Sequence, residues 1–184
     1  VIDGIEFLDR NDGRLFLWNN IYQTDFLKSN RIHFLARSVS LEDSLFNLQV
    51  FSKAKRVCLI SSIMYSYLMN PRSISRTKNK KHLLAQGQSS INVHLNAKKL
   101  RDSFNENTNA YAVLNQRLNH SILGFFYSLL VEKYPLDYIN NIYKIYKEEG
   151  LVPVKKKTIN LKQLILQKTV NLKSPFLFLC KLYR

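Results

Sequence analysis

Between residues 82 and 173, apolar side chains return at three- and four-residue intervals in four long segments, 82–104, 109–133, 136–148 and 159–173. Only "NENTN", "YP" and "GLVPVKKKT" interrupt them. Such spacing gathers the apolar residues of each segment on one helical face, and the interruptions hold turn-forming and helix-breaking residues. The larger part of the chain is therefore expected to be helical. A hydrophobic content of 46%, rich in Phe and Tyr, is ample for a packed core and excludes a disordered chain.

The first 76 residues read differently. Leu41, Leu45, Phe46, Leu48 and Phe51 mark one face of a helix running to about Ala54, with Ser40 as its N-cap and Asp43 in the variant capping-box position. The segment "RLFLWNNIYQTDFLKSNRIHF" (14–34) predicts a buried strand or first turn leading into a helix. "RVCLISSIMYSYLM" (56–69) is rich in β-branched and aromatic residues and predicts one or two short strands. They end at "NPRSIS", where Pro71 lacks an amide donor and holds Asn70 extended. The expected fold class is mainly α with a small α/β portion over 1–76, followed by a basic helical extension over 77–184.

The formal net charge of +15 is unevenly placed. No Asp or Glu occurs from Ser44 to Arg101 or from Leu151 to Arg184, while both stretches carry many Lys and Arg, so two surfaces should attract phosphate or anionic lipid. The tail "VKKKTINLKQLILQKTVNLKSPFLFLCKLYR" mixes Lys with Leu, Ile and Phe. It reads either as a segment lying on an anionic bilayer or as an amphipathic helix packed on the domain with solvated lysines. The longest uncharged apolar stretches, 57–69 and 121–131, fall short of the roughly 18 to 20 residues that cross a bilayer. Cys58 and Cys180 alone exclude a disulfide framework and a Cys-rich zinc site, and a reducing, cytoplasmic location is expected. His33, His82, His94 and His120 lack metal-ligand spacing and read as surface or core residues. The chain opens at Val1 on "VIDGIEFLDR" without a leader, which predicts a fragment of a longer protein.

Three motifs carry possible chemistry. Glu42 and Asp43 stand where exposed amides and the macrodipole favour carboxylates by about 0.3 to 1 kcal/mol each, which is a sufficient structural reason for them. The same position suits a base that takes a proton from an attacking hydroxyl. "MYSYLMNPRSISR" (64–76) reads as a core strand with Tyr65 and Tyr67 on one face and a capped turn after it. It also reads as a phosphate-binding turn presenting Ser73, Ser75, Arg72 and Arg76 to an anion. In "LWNNIY" (17–22), Trp18 is expected in the core, and Asn19 or Asn20 can orient a polar ligand.

Taken in order, "GIEFL" (4–8), "LWNNIY" with "TDFL" (17–27), "LEDSLF" (41–46) and "YSYLMNPRSIS" (65–75) resemble the C-terminal part of bacterial family-2 glycosyltransferases of the GT-A fold, especially those that build capsular and other surface polysaccharides. The resemblance covers roughly the first 40% of the chain. It implies that Asp43 matches the family's catalytic base, with Glu42 as its neighbouring acid, and that Trp18, Asn19, Arg72, Ser73, Ser75 and Arg76 bind substrate. It further implies an intact parent that moves a sugar with inversion from a nucleotide-sugar donor to a glycan or lipid-linked acceptor, with a divalent cation (Mg or Mn) held in a nucleotide-binding half. The chain departs from the pattern twice: Leu68 stands where the family often has Arg, and no Asp-x-Asp motif occurs.

Two other classes compete. A pI near 9.9 and the run "RTKNKK" (76–81) suit a noncatalytic helical module that binds nucleic acid or an anionic membrane surface, and a pure interaction domain is the third possibility.

Overall fold

The computed structural model describes all residues except 12–14, 37, 64, 69–78, 156–159 and 184. Its helices are α1 (Gly4–Arg10), a 3-10 turn (Leu17–Asn19), α2 (Thr24–Ser29), α3 (Glu42–Lys53), α4 (Lys80–Asp102), α5 (Asn109–Val131), α6 (Leu136–Glu148), α7 (Leu161–Asn171) and α8 (Ser174–Leu182). The chain is thus mainly helical, and the four long periodic segments are α4 to α7. The residues form two compact units, Val1–Leu114 and Asn115–Arg184. The division expected at residue 76 falls outside the described residues.

The expected α/β portion is corrected. Among the described residues no strand forms, and residues 56–68 pair only through an isolated antiparallel bridge between Ile2 and Val57. Ile2 N–H donates to Val57 O at 3.0 Å and Val57 N–H returns a bond to Ile2 O at 2.7 Å. β-branched and aromatic side chains favour an extended backbone, but a strand also needs a neighbour to accept its ladder of hydrogen bonds. Of the buried strand or first turn expected to lead into a helix over 14–34, the described residues show a 3-10 turn followed by α2.

In the first unit, α1 packs against α3. Asp3 starts α1 by accepting the Glu6 N–H at 2.8 Å. Gly4 N–H then donates to Ala54 O at 2.8 Å, an approach so close that a Cβ at Gly4 would collide with the Phe51 carbonyl. The contact brings the Phe7 and Phe51 rings to 4.4 Å and buries Leu8 together with Leu45, Phe46, Leu48 and Val50 of α3. α4 lies on α3 and buries Ile91, Val93, His94 and Ala97.

In the second unit, Phe126 of α5 meets Tyr143 and Tyr146 of α6 and Phe176 of α8 edge to face, at centroid distances of 5.9, 5.6 and 5.3 Å. Ile139, Ile142, Tyr143 and Tyr146 supply the buried face of α6 at positions i, i+3, i+4 and i+7. α6 ends at Gly150, whose φ of 67° lies in the left-handed region. Gly150 N–H donates to Lys147 O and Leu151 N–H to Tyr146 O, a Schellman closure.

His94 is fully buried, and burial lowers its pKa from 6.5 to about 3. The unfolded imidazole takes up a proton below about pH 6.5 and the folded one only near 3, so the unfolded state binds more protons in between. Stability should therefore fall as pH drops through that window, by about 1.4 kcal/mol per pH unit. From urea titrations between neutral pH and pH 4, the unfolding free energy of the wild type should fall relative to that of His94→Gln by about that slope. Parallel curves would exclude the effect.

Candidate functional site

The loop entering α3 sets the geometry of the acidic pair. Ser40 was the expected cap, yet its hydroxyl donates to Gln86 O at 3.2 Å, the Ser38 hydroxyl donates to Ser40 O at 2.9 Å, and Val39 N–H donates to Ser89 Oγ at 2.8 Å. Bonds to α4 thus hold the loop, and the residue at the cap is Leu41, in the left-handed conformation (φ 61°, ψ 4°) and without a side-chain bond to the helix. A left-handed leucine costs about 1 to 2 kcal/mol, which only a well-fixed loop sustains.

With Leu41 at the cap, Asp43 sits in the first turn of α3 and does not occupy the capping-box position expected of it. Its Oδ2 instead accepts the N–H of Leu17, 26 residues earlier, at 3.4 Å. Such a bond is long, and among the described residues it leaves most of the carboxylate's acceptor capacity unused. Glu42 is half-buried, and its Oε2 is shielded from water with no hydrogen-bond partner among the described residues.

The turn that donates to Asp43 carries Trp18. Against the expectation of a core tryptophan, Trp18 is 40% exposed. Its ring stacks on Phe16 at 5.2 Å and Tyr65 at 5.1 Å, and Tyr67 approaches at 5.5 Å. Tyr65 and Tyr67 therefore do share a face, as period-two spacing predicts, but both are exposed rather than in a core strand. Rings that pack on one another while open to solvent form a shelf instead of a core. Asn20 is partly buried, its Nδ2 donating to Phe16 O and Asn19 Oδ1, and Asn19 stays exposed. The structure thus separates two asparagines that spacing left equivalent.

Behind this shelf is a polar anchor that sequence reasoning missed. Asn47 is fully buried one turn beyond Asp43. Its Nδ2 donates to Leu15 O at 3.0 Å, and its Oδ1 accepts the Tyr22 hydroxyl at 2.6 Å. Burial raises the Tyr22 pKa, with the nearby Asp43 charge adding to the rise and the asparagine bonds opposing it. Asn47 therefore grips both flanks of the 3-10 turn. The only cue in the sequence is an asparagine within the apolar run "LFNLQVF", a buried polar position that demands partners.

Arg72, Ser73, Ser75 and Arg76 lie outside the described residues, and so does the turn they were expected to form. Among the described residues no group of three His, Cys, Asp or Glu is placed to hold a metal ion. An open groove of about 390 Å³ runs along Ile2, Phe7, Arg10 and Val57 to Leu59, and neither Asp43 nor Trp18 lines it. Comparison with protein-family profiles, with curated proteins and with solved structures gives no match in any of the three.

The anchor gives a direct test. Asn47→Ala would strand the Leu15 carbonyl and the Tyr22 hydroxyl, costing about 2 to 3 kcal/mol in chemical denaturation. Tyr22→Phe, which leaves the Asn47 bond to Leu15 O in place, should cost about half as much. Equal losses, or losses within about 0.5 kcal/mol of zero, would rule out the bridge.

Proposed function

We propose that this chain is the acceptor-side part of an inverting, family-2-like glycosyltransferase, with Asp43 as the base that deprotonates the acceptor hydroxyl. The observation that carries the reading is the long hydrogen bond between Asp43 Oδ2 and Leu17 N–H, the one such bond to this carboxylate among the described residues. It ties the carboxylate to the turn that presents Trp18 and leaves it uncommitted to the amides of its own helix. A carboxylate used only as a cap would bond inside its own first turn.

The chemistry follows from that placement. A sugar is amphipathic: its C–H faces pack on aromatic rings and its hydroxyls seek polar partners. Phe16, Trp18, Tyr65 and Tyr67 offer such rings, and exposed Asn19, next to Trp18 in the chain, offers a hydrogen-bonding group. As the acceptor oxygen attacks the anomeric carbon, Asp43 takes its proton. The bond from that carbon to the diphosphate breaks, and its electron pair leaves with the nucleotide. Entry opposite the leaving group inverts the centre. The nucleotide-sugar donor, and the Mg or Mn ion that would serve it, belong to the parent enzyme.

Asp43→Asn is the decisive variant, because the amide oxygen can still accept the Leu17 N–H while the basic charge is gone. In the full-length protein carrying this chain, transfer from a panel of nucleotide-diphosphate sugars should fall by about a hundredfold to ten-thousandfold, with the urea midpoint unchanged. Turnover at the wild-type rate would refute the assignment.

Trp18→Ala removes stacking without opening a core. It should raise KM for the acceptor several-fold, to about tenfold, with kcat nearly preserved. An unchanged KM would remove the aromatic shelf from the proposal.

A further inference from the structure

The second unit carries a surface that the sugar-transfer reading does not use. In α7, Val170 is the buried residue, and the opposite side of the helix presents Leu161 (69% exposed), Leu164 and Ile165 (51%), with Lys168 next in the same row. These residues stand at i, i+3, i+4 and i+7, and exposed Leu172 follows at i+11. An outward apolar stripe is the reverse of what an ordinary surface helix shows. α8 repeats the arrangement: Phe176 and Cys180 point inward, while Phe178 and Leu182 are exposed.

The charge around these faces identifies what would cover them. From Leu151 to Arg184 the sequence has seven Lys and one Arg but no acid. On the helices themselves, Lys162, Lys168 and Lys181 are exposed. A second copy would bring an equally cationic surface against the first, which disfavours self-association. A nucleic acid would satisfy the lysines and leave Leu161, Leu164, Ile165 and Phe178 in water. A bilayer with anionic headgroups meets both demands: apolar side chains enter the acyl boundary, and lysine stems run along them to reach phosphate. Among the described residues no helix is long and apolar enough to cross the membrane.

We infer that α7 and α8 form an interfacial anchor by which the second unit lies on an anionic lipid surface, with Leu161, Leu164, Ile165 and Phe178 inserted and Lys162, Lys168 and Lys181 on the headgroups. This anchor is independent of the assignment of Asp43.

Cosedimentation of the full chain with vesicles of phosphatidylcholine, with and without phosphatidylglycerol, tests the inference at low and high salt. Binding should need the anionic lipid and weaken with salt. Lys162→Gln with Lys168→Gln should weaken it roughly thirtyfold, about fivefold for each lysine. Leu164→Ser with Ile165→Ser should weaken it by at least about tenfold, with helix content unchanged because both side chains face outward. If the serine variant loses helix content, the glutamine variant carries the test alone. Absence of vesicle binding, equal binding to neutral vesicles, or indifference to both variants would overturn the inference. So would a wild-type dimer that the serine variant dissociates, because the face would then be a contact between copies.

Discussion

The left-handed turn at Leu41 is the constraint from which the rest of the first site follows. A leucine adopts φ near 60° only when its surroundings leave no alternative, and here three side-chain bonds over residues 38 to 40, two of them reaching α4, fix the loop that precedes it. Had Ser40 capped the helix, the exposed amides of α3 would have been served locally and Asp43 would have completed a capping box. Instead the serine is used against α4, the helix begins without a side-chain cap, and Asp43 faces the 3-10 turn. Losing a good cap costs about 1 kcal/mol, and the strained leucine adds a similar amount. The first unit sustains both through the α1 and α4 contacts with α3, whose buried face is continuous from Leu45 to Phe51.

The same geometry explains why an aromatic-rich segment is not a core. The apolar space around α3 is already filled by Phe7, Leu8, Phe46 and Phe51, with Phe34 stacked on Phe46 at 4.4 Å. Asn47 ties the chain at Leu15 and Tyr22, so residues 16 to 18 arch outward between two fixed points. Trp18 is therefore held by its backbone anchors and by neighbouring rings rather than by enclosure. Such a ring is already oriented when a ligand arrives, which lowers the ordering cost of binding.

Legibility in the sequence follows from which forces are local. α4 to α7 were readable because each carries a periodic apolar face, turned inward in α6 and outward in α7, and starts or ends on chemistry visible in the chain. Examples are Asn79 accepting from His82, Asn160 accepting from Gln163, and Gly150 closing α6. α1 carried the same kind of signal in Asp3 and Glu6, and α8 in Pro175 at its first turn, but each is short and each apolar run lacks clear periodicity. The strand reading of 56 to 68 failed because pairing is a property of two segments, and propensity reports only one. For the site, the spacing favoured a helix-start role for Asp43 and a core place for Trp18, and only the resemblance pointed to them as site residues; neither could say what they face. The Leu17 and Asn47 contacts span 26 and 32 residues, a separation no local pattern encodes. The expected anion-binding turn, with Arg72, Ser73, Ser75 and Arg76, lies outside the described residues.

In the second unit, directional bonds hold an element whose apolar residues face the wrong way for a core. The Tyr143 hydroxyl donates to Val170 O at 2.6 Å, and the Asn171 side chain bonds both Val154 N and Val154 O, at 2.7 and 3.0 Å. These bonds grip the C-terminal end of α7, where Val170 enters the core beneath them. Attachment at one end by buried hydrogen bonds needs little apolar burial elsewhere along the helix, so Leu161, Leu164 and Ile165 are released from any duty in folding. A helix fixed mainly by area would have turned those residues inward and left its lysines alone outside. Fixing α7 through Asn171 and Tyr143 is what allows its outer face to be apolar and cationic at once.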